Sequence, residues 1–227
     1  MSVHYDYARG SIPANLGVLL LIWVAVTFVS ILVHELGHAL AFRFYGIRCE
    51  IVLYHMGGLA IPGAGMLWGR NGRRTQLTQF NQIVISAAGP AIQLLLAALV
   101  GIVAILCGVR VPEFSWLAQY LQLKVSRPAN PATYAAISFM VTSSIYWALF
   151  NLLPIFPLDG GQIAQHVIGF FRRTNGLMEA HTLSAAVGIV IAFWCYTSGS
   201  GLNAIFIASL VLNNIQALQG GVGPRNW

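Results

Sequence analysis

Long apolar stretches dominate the chain and alternate with short polar connections. A helix needs about 20 apolar residues to cross a hydrocarbon core that is about 30 Å thick. Up to five stretches approach or exceed that length, and they lie near 16–45, 79–108, 132–156, 182–198 and 202–218. The pattern therefore predicts an all-α polytopic membrane protein.

Two parts of this pattern leave alternatives open. The last two stretches are short and are joined only by residues 199–201, so they predict either two C-terminal spans or a re-entrant hairpin. The stretch 51–68 carries no formal charge, but it contains repeated helix breakers, namely Gly57, Gly58, Pro62, Gly63 and Gly65. It predicts a small β-hairpin or a re-entrant loop after the first span, with its backbone covered by protein or lining a wet cavity.

Composition supports the membrane class. Of the 227 residues, 57% are hydrophobic and only 8% are charged, which is more apolar surface than a soluble domain of this length needs. The net charge of +6 comes from scattered basic residues that form no dense patch, so no nucleic-acid partner is expected. We expect one membrane-embedded domain over 1–227, with a core at 16–165 and C-terminal helices at 182–218.

Basic residues also predict an orientation in the membrane. With the N-terminus outside and five spans, eight of the twelve basic residues fall on the inner side: Arg43, Arg48, Arg70, Arg73, Arg74, Arg172, Arg173 and Arg225. The positive-inside rule favours this arrangement. We expect an integral multi-pass protein of the bacterial inner membrane, with its functional site near the cytoplasmic face.

The first apolar stretch contains the sequence His34-Glu35-Leu36-Gly37-His38. Residues at i and i+4 share a helix face, about 5–6 Å apart at Cβ, so two imidazoles can bind one zinc ion beside Glu35 as general base. The plainer interpretation is chance, or two histidines hydrogen-bonded within a helix bundle. Ionisable groups in a lipid-embedded helix need metal, partners or water, which favours a functional site.

A hydrolytic zinc site usually has three protein ligands and one open position. Asp159, which follows the third stretch, is the strongest candidate for the third ligand; the competing interpretation is that Asp159 caps the next helix. His34 lies 18 residues after Leu16, roughly 27 Å along a helix, and therefore near the far face of the bilayer. Two further crossings bring Asp159 to that same face, provided that the stretch 51–68 does not cross.

The chain resembles the site-2 protease family. The resemblance rests on the histidine-glutamate motif at 34–38, on Asn151 through Gly161, on Ala88-Gly89-Pro90 and on Gly57-Gly58-Leu59-Ala60. It implies a three-helix catalytic core, with His34, His38 and Asp159 as zinc ligands and Glu35 as general base. Two positions depart from the family pattern: Gln93 stands where asparagine is frequent, and Phe156 where proline is frequent. Because neither is expected to touch a ligand, we expect these departures to affect local packing only.

Three further residues are candidates for functional roles. Asn151 lies eight residues before Asp159, roughly two turns along the same helix if that helix is undistorted. Its amide is a candidate for holding the substrate backbone, and an interhelical hydrogen bond is an equally good interpretation. His55 and His166 compete as zinc ligands, against interfacial or hydrogen-bonding roles.

These features predict a zinc endopeptidase, with one Zn²⁺ per chain, that cleaves transmembrane segments of membrane proteins within the bilayer. An edge strand in the stretch 51–68 is expected to hold the unwound substrate by strand addition. A membrane protein that binds or transports zinc is the main alternative. It requires further intramembrane acidic or histidine side chains along a path, of which the sequence offers almost none. An inactive scaffold is the second alternative, and the presence of Glu35 argues against it.

Overall fold

The structure is a computed structural model and describes residues 16–47, 49–54, 57–62, 77–128, 130–173 and 175–220. The described residues form seven α-helices, two short strands and one 3-10 turn. The helices are α1 (Leu16–Phe44), α2 (Gln79–Leu106), α3 (Ser115–Tyr120), α4 (Pro131–Asn151), α5 (Asp159–Arg172), α6 (Leu177–Thr197) and α7 (Gly201–Gln219).

Five of these helices are long and apolar enough to cross a membrane: α1, α2, α4, α6 and α7. This confirms the prediction of an all-α polytopic membrane protein. Helix α6 begins at Leu177 rather than near 182, so both members of the C-terminal pair are long enough to span. The short helix α5 has only 14 residues and lies between two of the spanning helices in the sequence.

Two short strands lie between α1 and α2, and they pack against α1. Strand β1 (Cys49–Tyr54) pairs antiparallel with β2 (Gly57–Pro62), with Cys49 opposite Pro62 and Tyr54 opposite Gly57. The connection at 55–56 and the residues 63–76 lie outside the described part of the chain.

Helix α4 ends earlier than the apolar pattern predicted. The third apolar stretch continues to 156, but the helix stops at Asn151 and a turn occupies residues 152–158. Prolines at 154 and 157 explain the difference, because proline lacks an N–H group and disfavours helical backbone at the preceding residue. Asn151 and Asp159 therefore lie on different helices, so the separation of two turns that an undistorted helix would give does not apply.

Helices α1, α2 and α4 pack against one another as a three-helix core, and α5 packs against α2. The crossing of α1 and α2 is close at Gly37, where an added Cβ would lie 2.6 Å from both the Ala88 carbonyl oxygen and Ile92 Cγ2. Real Cβ atoms do not approach so near, so the crossing requires glycine at this position. Helices α6 and α7 pair with each other, and α6 also contacts α5.

Candidate metal centre

His34, His38 and Asp159 come together at a buried point between α1, α2 and α5. Each residue is at most 8% exposed. The Nε2 atoms of the two imidazoles are 3.1 Å apart. The Asp159 carboxylate lies 3.0 Å from His34 Nε2 through Oδ2 and 3.3 Å from His38 Nε2 through Oδ1. The structure thus brings together the three side chains that the sequence singled out.

The turn at 152–158 and two glycines place Asp159 at this point. Leu158 is the N-cap of α5, and Asp159 is the first residue of that helix, so it does not act as the cap. A Cβ at Gly160 would overlap the carbonyl oxygens of Leu152 and Leu153, and one at Gly161 would lie 2.6 Å from the Phe156 nitrogen. The two glycines therefore let the start of α5 fold back against the end of α4.

Each imidazole makes a hydrogen bond through Nδ1, while its Nε2 faces Asp159, and the bond at Nδ1 fixes its tautomer. His38 Nδ1 lies 2.8 Å from the Ile85 carbonyl oxygen, which can only accept, so Nδ1 carries the proton. His34 Nδ1 lies 3.0 Å from Gln93 Oε1, and Gln93 Nε2 donates to Ser30 Oγ at 2.7 Å. Both Nε2 atoms therefore direct lone pairs toward the Asp159 carboxylate.

This arrangement fits a zinc ion. Two imidazole lone pairs and a carboxylate converge in a buried space, and Asp159 Oδ2 has no hydrogen-bond donor of suitable geometry among the described residues. A shared proton would satisfy two of the three groups, whereas one cation satisfies all three. Tetrahedral zinc with bonds of about 2.0–2.1 Å separates its ligand atoms by about 3.3 Å, and the observed separations are 3.0–3.3 Å. The three residues form the one candidate ligand group found in the described part of the chain.

Gln93 touches a candidate ligand, contrary to expectation. The sequence interpretation limited its departure from the family pattern to local packing, but its amide oxygen accepts from His34 Nδ1. The residue is fully buried. A hydrogen-bond chain continues from its amide group through Ser30 on α1 to Ser144 on α4, with the two hydroxyls 2.8 Å apart. This chain orients His34 and ties it to all three core helices.

Replacing Gln93 with leucine should weaken zinc binding. The substitution keeps the side-chain volume but leaves His34 Nδ1–H without its acceptor, and loss of such outer contacts typically lowers metal affinity by about 10–100-fold. Equilibrium dialysis of the purified protein against buffered zinc measures the change. Gln119→Leu, at an exposed position on α3, should bind zinc like the unchanged protein. Equal affinity in both variants would contradict an orienting role for Gln93.

Gly89 forms the wall of the site on α2. A Cβ at this position would overlap His38 Nε2 and would lie 2.9 Å from His34 Nε2. The α2 backbone therefore lies directly against both candidate ligand atoms, and any side chain here would occupy their space. The Ala88-Gly89-Pro90 motif thus has a role at the metal centre itself.

Gly89→Ala is therefore expected to reduce the zinc retained after purification to well below one per chain, because a methyl group would displace both imidazoles. Elemental analysis of the detergent-purified protein measures the metal content. Gly201→Ala is the matched control, since an added Cβ there meets nothing within 4 Å. Full zinc occupancy in Gly89→Ala would show that α2 is not so close to the ligands.

Of the other candidate residues from the sequence, the structure describes Glu35, Asn151 and His166. Glu35 is buried on α1, where it lies between the two histidines in the sequence. Asn151 is half-buried and donates to the Trp147 carbonyl of its own helix at 3.0 Å.

His166 lies 2.6 Å from Gln79 Oε1 through Nδ1 and is not part of the ligand group. Burial lowers the pKa of His166, so its imidazole is neutral at pH 7. His55 lies outside the described residues.

Ser30 and Ser144 are site-supporting residues that the sequence reasoning missed. Both are almost completely buried. A sequence signal was present, since hydroxyl groups inside apolar spans often mark contacts between helices. That signal does not identify which serines form a hydrogen bond with each other, because many spans contain several serines.

Fold and site together define a class: a polytopic helical membrane protein with a buried His-His-Asp group that fits a metal ion. The comparisons with known proteins agree. Residues 22–195 match the sequence profile of peptidase family M50. The chain belongs to this family, and the resemblance to the site-2 proteases is thereby confirmed.

Several curated proteins are similar in sequence. A zinc metalloprotease of Methanocaldococcus jannaschii is 25% identical over 165 residues, covering 73% of this chain and 39% of the relative. A Synechocystis protein with a zinc metalloprotease name is 28% identical, covering 95% and 47%. Rip3 of Mycobacterium tuberculosis, also named as a zinc metalloprotease, is 31% identical, covering 72% and 34%. The chain thus spans less than half the length of these relatives.

One solved structure shares the fold. The site-2 protease from Methanocaldococcus jannaschii aligns with a TM-score of 0.54 and 18% sequence identity, and the alignment covers 87% of this chain and 77% of that one. At this identity the likeness concerns the arrangement of helices. The likeness supports the three-helix core and does not bear on the chemistry of the site.

Proposed function

We propose that the protein is an intramembrane zinc endopeptidase that cleaves transmembrane segments of membrane proteins. The observation that carries this proposal is the convergence of two imidazole lone pairs and a carboxylate inside a bundle of membrane-crossing helices. Glu35 lies buried on the same helix between the two histidines. Three protein ligands beside a carboxylate that can exchange protons are typical of zinc peptidases.

In this proposal each side chain has a defined task. His34, His38 and Asp159 hold the metal, while Gln93 and the Ile85 carbonyl keep the two imidazoles in the tautomer that leaves Nε2 free to bind. Zinc, when bound, supplies a Lewis acid that polarises the peptide carbonyl and acidifies water. Glu35 accepts a proton from the attacking water and returns it to the leaving amine nitrogen.

The depth of the site supports a transmembrane substrate. His34 lies ten residues before the end of α1 at Phe44, roughly 15 Å along the helix axis. Helix α1 has 29 residues and is therefore about 43 Å long, which exceeds the hydrocarbon thickness of about 30 Å. A peptide bond that reaches His34 must enter the bundle below the membrane surface. Such a segment must unwind locally, because helical hydrogen bonds shield its carbonyl groups.

Metal transport is a weaker proposal. A transport path requires a series of ligand groups across the membrane, and the described residues hold a single such group, at His34, His38 and Asp159. The Gln93 and Ser30 side chains form the hydrogen bonds that orient His34, and the Gly89 backbone lies against both imidazoles. The arrangement supports one fixed metal rather than a relay.

The proposed function is tested by finding substrates. Membrane proteomes of cells expressing the active protein and the Glu35→Gln variant are compared by quantitative mass spectrometry. Full-length membrane substrates should accumulate in the variant, and their cleaved fragments should appear only with the active protein. Identical membrane proteomes, together with zinc present at one per chain, would contradict proteolysis.

We also propose that the metal centre lies near the cytoplasmic face of the inner membrane. A cysteine introduced near Arg172 should be protected from an impermeant thiol reagent added outside, and one near Lys124 should react. The reason is that, with the N-terminus outside, α5 follows three of the candidate spans in the described part of the chain, whereas Lys124 follows two. Cysteine near Arg73, which lies outside the described residues, should be protected like Arg172. Labelling of the Arg172 and Arg73 sites from opposite sides would contradict this topology.

A further inference from the structure

The turn that precedes Asp159 is held at one residue by both C-terminal helices. The Phe156 N–H donates to Ser184 Oγ of α6 at 3.0 Å. The Phe156 carbonyl accepts from Asn214 Nδ2 of α7 at 2.9 Å. Ser184 is 0% exposed and Asn214 is 1% exposed, so the side-chain partner in each bond is buried. Two side chains from different helices thus satisfy both backbone polar groups of Phe156.

Each of these side chains is itself held in position. The Ser184 hydroxyl donates to the Ala180 carbonyl at 2.7 Å, which leaves its oxygen free to accept from Phe156. Asn214 Oδ1 lies 2.8 Å from His181 Nδ1, and Asn214 Nδ2 also donates to the Leu210 carbonyl at 2.8 Å. The orientation of the Asn214 amide is therefore determined, because its oxygen faces a donor and its nitrogen faces two carbonyl groups.

Apolar contacts reinforce the same attachment. The His181 ring packs on the Phe156 ring with centroids 4.7 Å apart. The neighbouring residue Ile155 is completely buried and clusters with Ile207 and Leu210 of α7. Two consecutive residues of the turn are thus packed against the C-terminal pair.

A shift of Phe156 would be passed directly to Asp159. The α5 backbone at Gly161 lies so close to the Phe156 nitrogen that an added Cβ would be 2.6 Å away. The Leu158 N–H also bonds to the Ile155 carbonyl at 2.9 Å. The first turn of α5, which carries Asp159, therefore rests on the held residues.

We propose that Ser184, His181 and Asn214 form a polar clamp that positions Asp159 for metal binding. The proposal rests on the metal centre of the proposed function. It gives α6 and α7 a role at the site, although neither contributes a ligand. Helix α7 begins at Gly201, beyond the residues 22–195 that match the family profile. The clamp is thus partly built from chain that the family match does not cover.

The first test is metal binding by Asn214→Leu in the full-length purified protein. Leucine has a similar volume but removes the donor to the Phe156 carbonyl and the acceptor for His181. Zinc affinity should fall at least about tenfold, as for other residues that orient metal ligands. The visible absorption spectrum of the Co²⁺-loaded protein should also change, because a displaced carboxylate alters the coordination geometry. Asn213→Leu, at the exposed neighbouring position of the same helix, should leave affinity and spectrum unchanged.

A second, milder variant tests whether misfolding of Asn214→Leu explains a loss of zinc affinity. Ser184→Ala removes only one oxygen and should produce a smaller loss of zinc affinity with a spectral change in the same direction. Ser209→Ala, at an exposed position on α7, is its matched control. Helical circular dichroism and gel-filtration profiles establish that each variant retains its fold. Unchanged affinity and spectrum in a folded Asn214→Leu or Ser184→Ala protein would overturn the clamp.

A double-mutant cycle separates positioning from general stability. If Asn214 acts through Asp159, Asn214→Leu should have little further effect on the residual metal affinity of Asp159→Ala. An equal loss in both backgrounds would mean that Asn214 acts elsewhere, and would overturn the proposal. These measurements need no substrate. A protein that binds zinc and shows the predicted cycle but cleaves nothing would contradict the proposed protease and still support the clamp.

Discussion

The Glu35→Gln variant is expected to retain about one zinc per chain while losing cleavage of a membrane substrate by at least about 10²–10⁴-fold. Glutamine keeps the size and hydrogen-bonding shape of the side chain but cannot accept a proton from the attacking water. Zinc should remain because the three candidate ligands are His34, His38 and Asp159. Metal content is measured by elemental analysis, and cleavage by quantifying fragments of a substrate reconstituted in lipid vesicles.

The matched control for this variant is Glu179→Gln. Glu179 lies on α6 and forms a long, partly exposed ion pair of 3.8 Å with Arg172, and pairs of this kind contribute at most about 1 kcal/mol. Its activity should equal that of the unchanged protein. Substantial turnover by Glu35→Gln would show that another group accepts the proton. Loss of zinc from Glu35→Gln would mean that Glu35 contributes to metal binding.

Asp159→Ala is expected to lose most of its zinc and all of its activity. Structural zinc sites with four ligands have apparent binding free energies of about 10–16 kcal/mol. One ligand therefore accounts for roughly 3 kcal/mol, and its removal should weaken affinity by at least about 10²-fold. Equilibrium dialysis with a zinc buffer of known free concentration measures the change. The result should be the same with Co²⁺ in place of zinc.

His166→Ala and His55→Ala are the controls for the third ligand. His166 Nδ1 is engaged by Gln79, so its replacement should disturb the contact between α5 and α2 but leave zinc at about one per chain. His55→Ala tests a histidine outside the described residues. Full zinc in Asp159→Ala, combined with loss of zinc in either histidine variant, would place the third ligand elsewhere in the chain.

Local sequence patterns predicted much of the fold and the central residues of the site. The length of apolar stretches is a local property, so three of the five predicted spans agree with helices α1, α2 and α7 to within two residues, whereas α4 and α6 each differ by five residues at one end. The spacing of His34 and His38 places them on one helix face whatever surrounds the helix. The number of spans before Asp159 predicted that it lies at the same end of the bundle as the two histidines, because each span takes the chain to the opposite side of the membrane.

Only the tertiary structure decided which residues surround the metal centre. Lipid-facing and core-facing sides of these helices are both apolar, so the hydrophobic pattern does not reveal how each helix is rotated about its axis. The rotation of α1 and α2 about their axes brings Gln93 into contact with His34, which is 59 residues away in the sequence. The same rotation makes Gly89 the wall of the site. The sequence therefore determined the spans and the spacing of the ligand motif. The tertiary structure decided the role of Gln93 and the contacts of Phe156 with α6 and α7, because these depend on distant segments packing at one place.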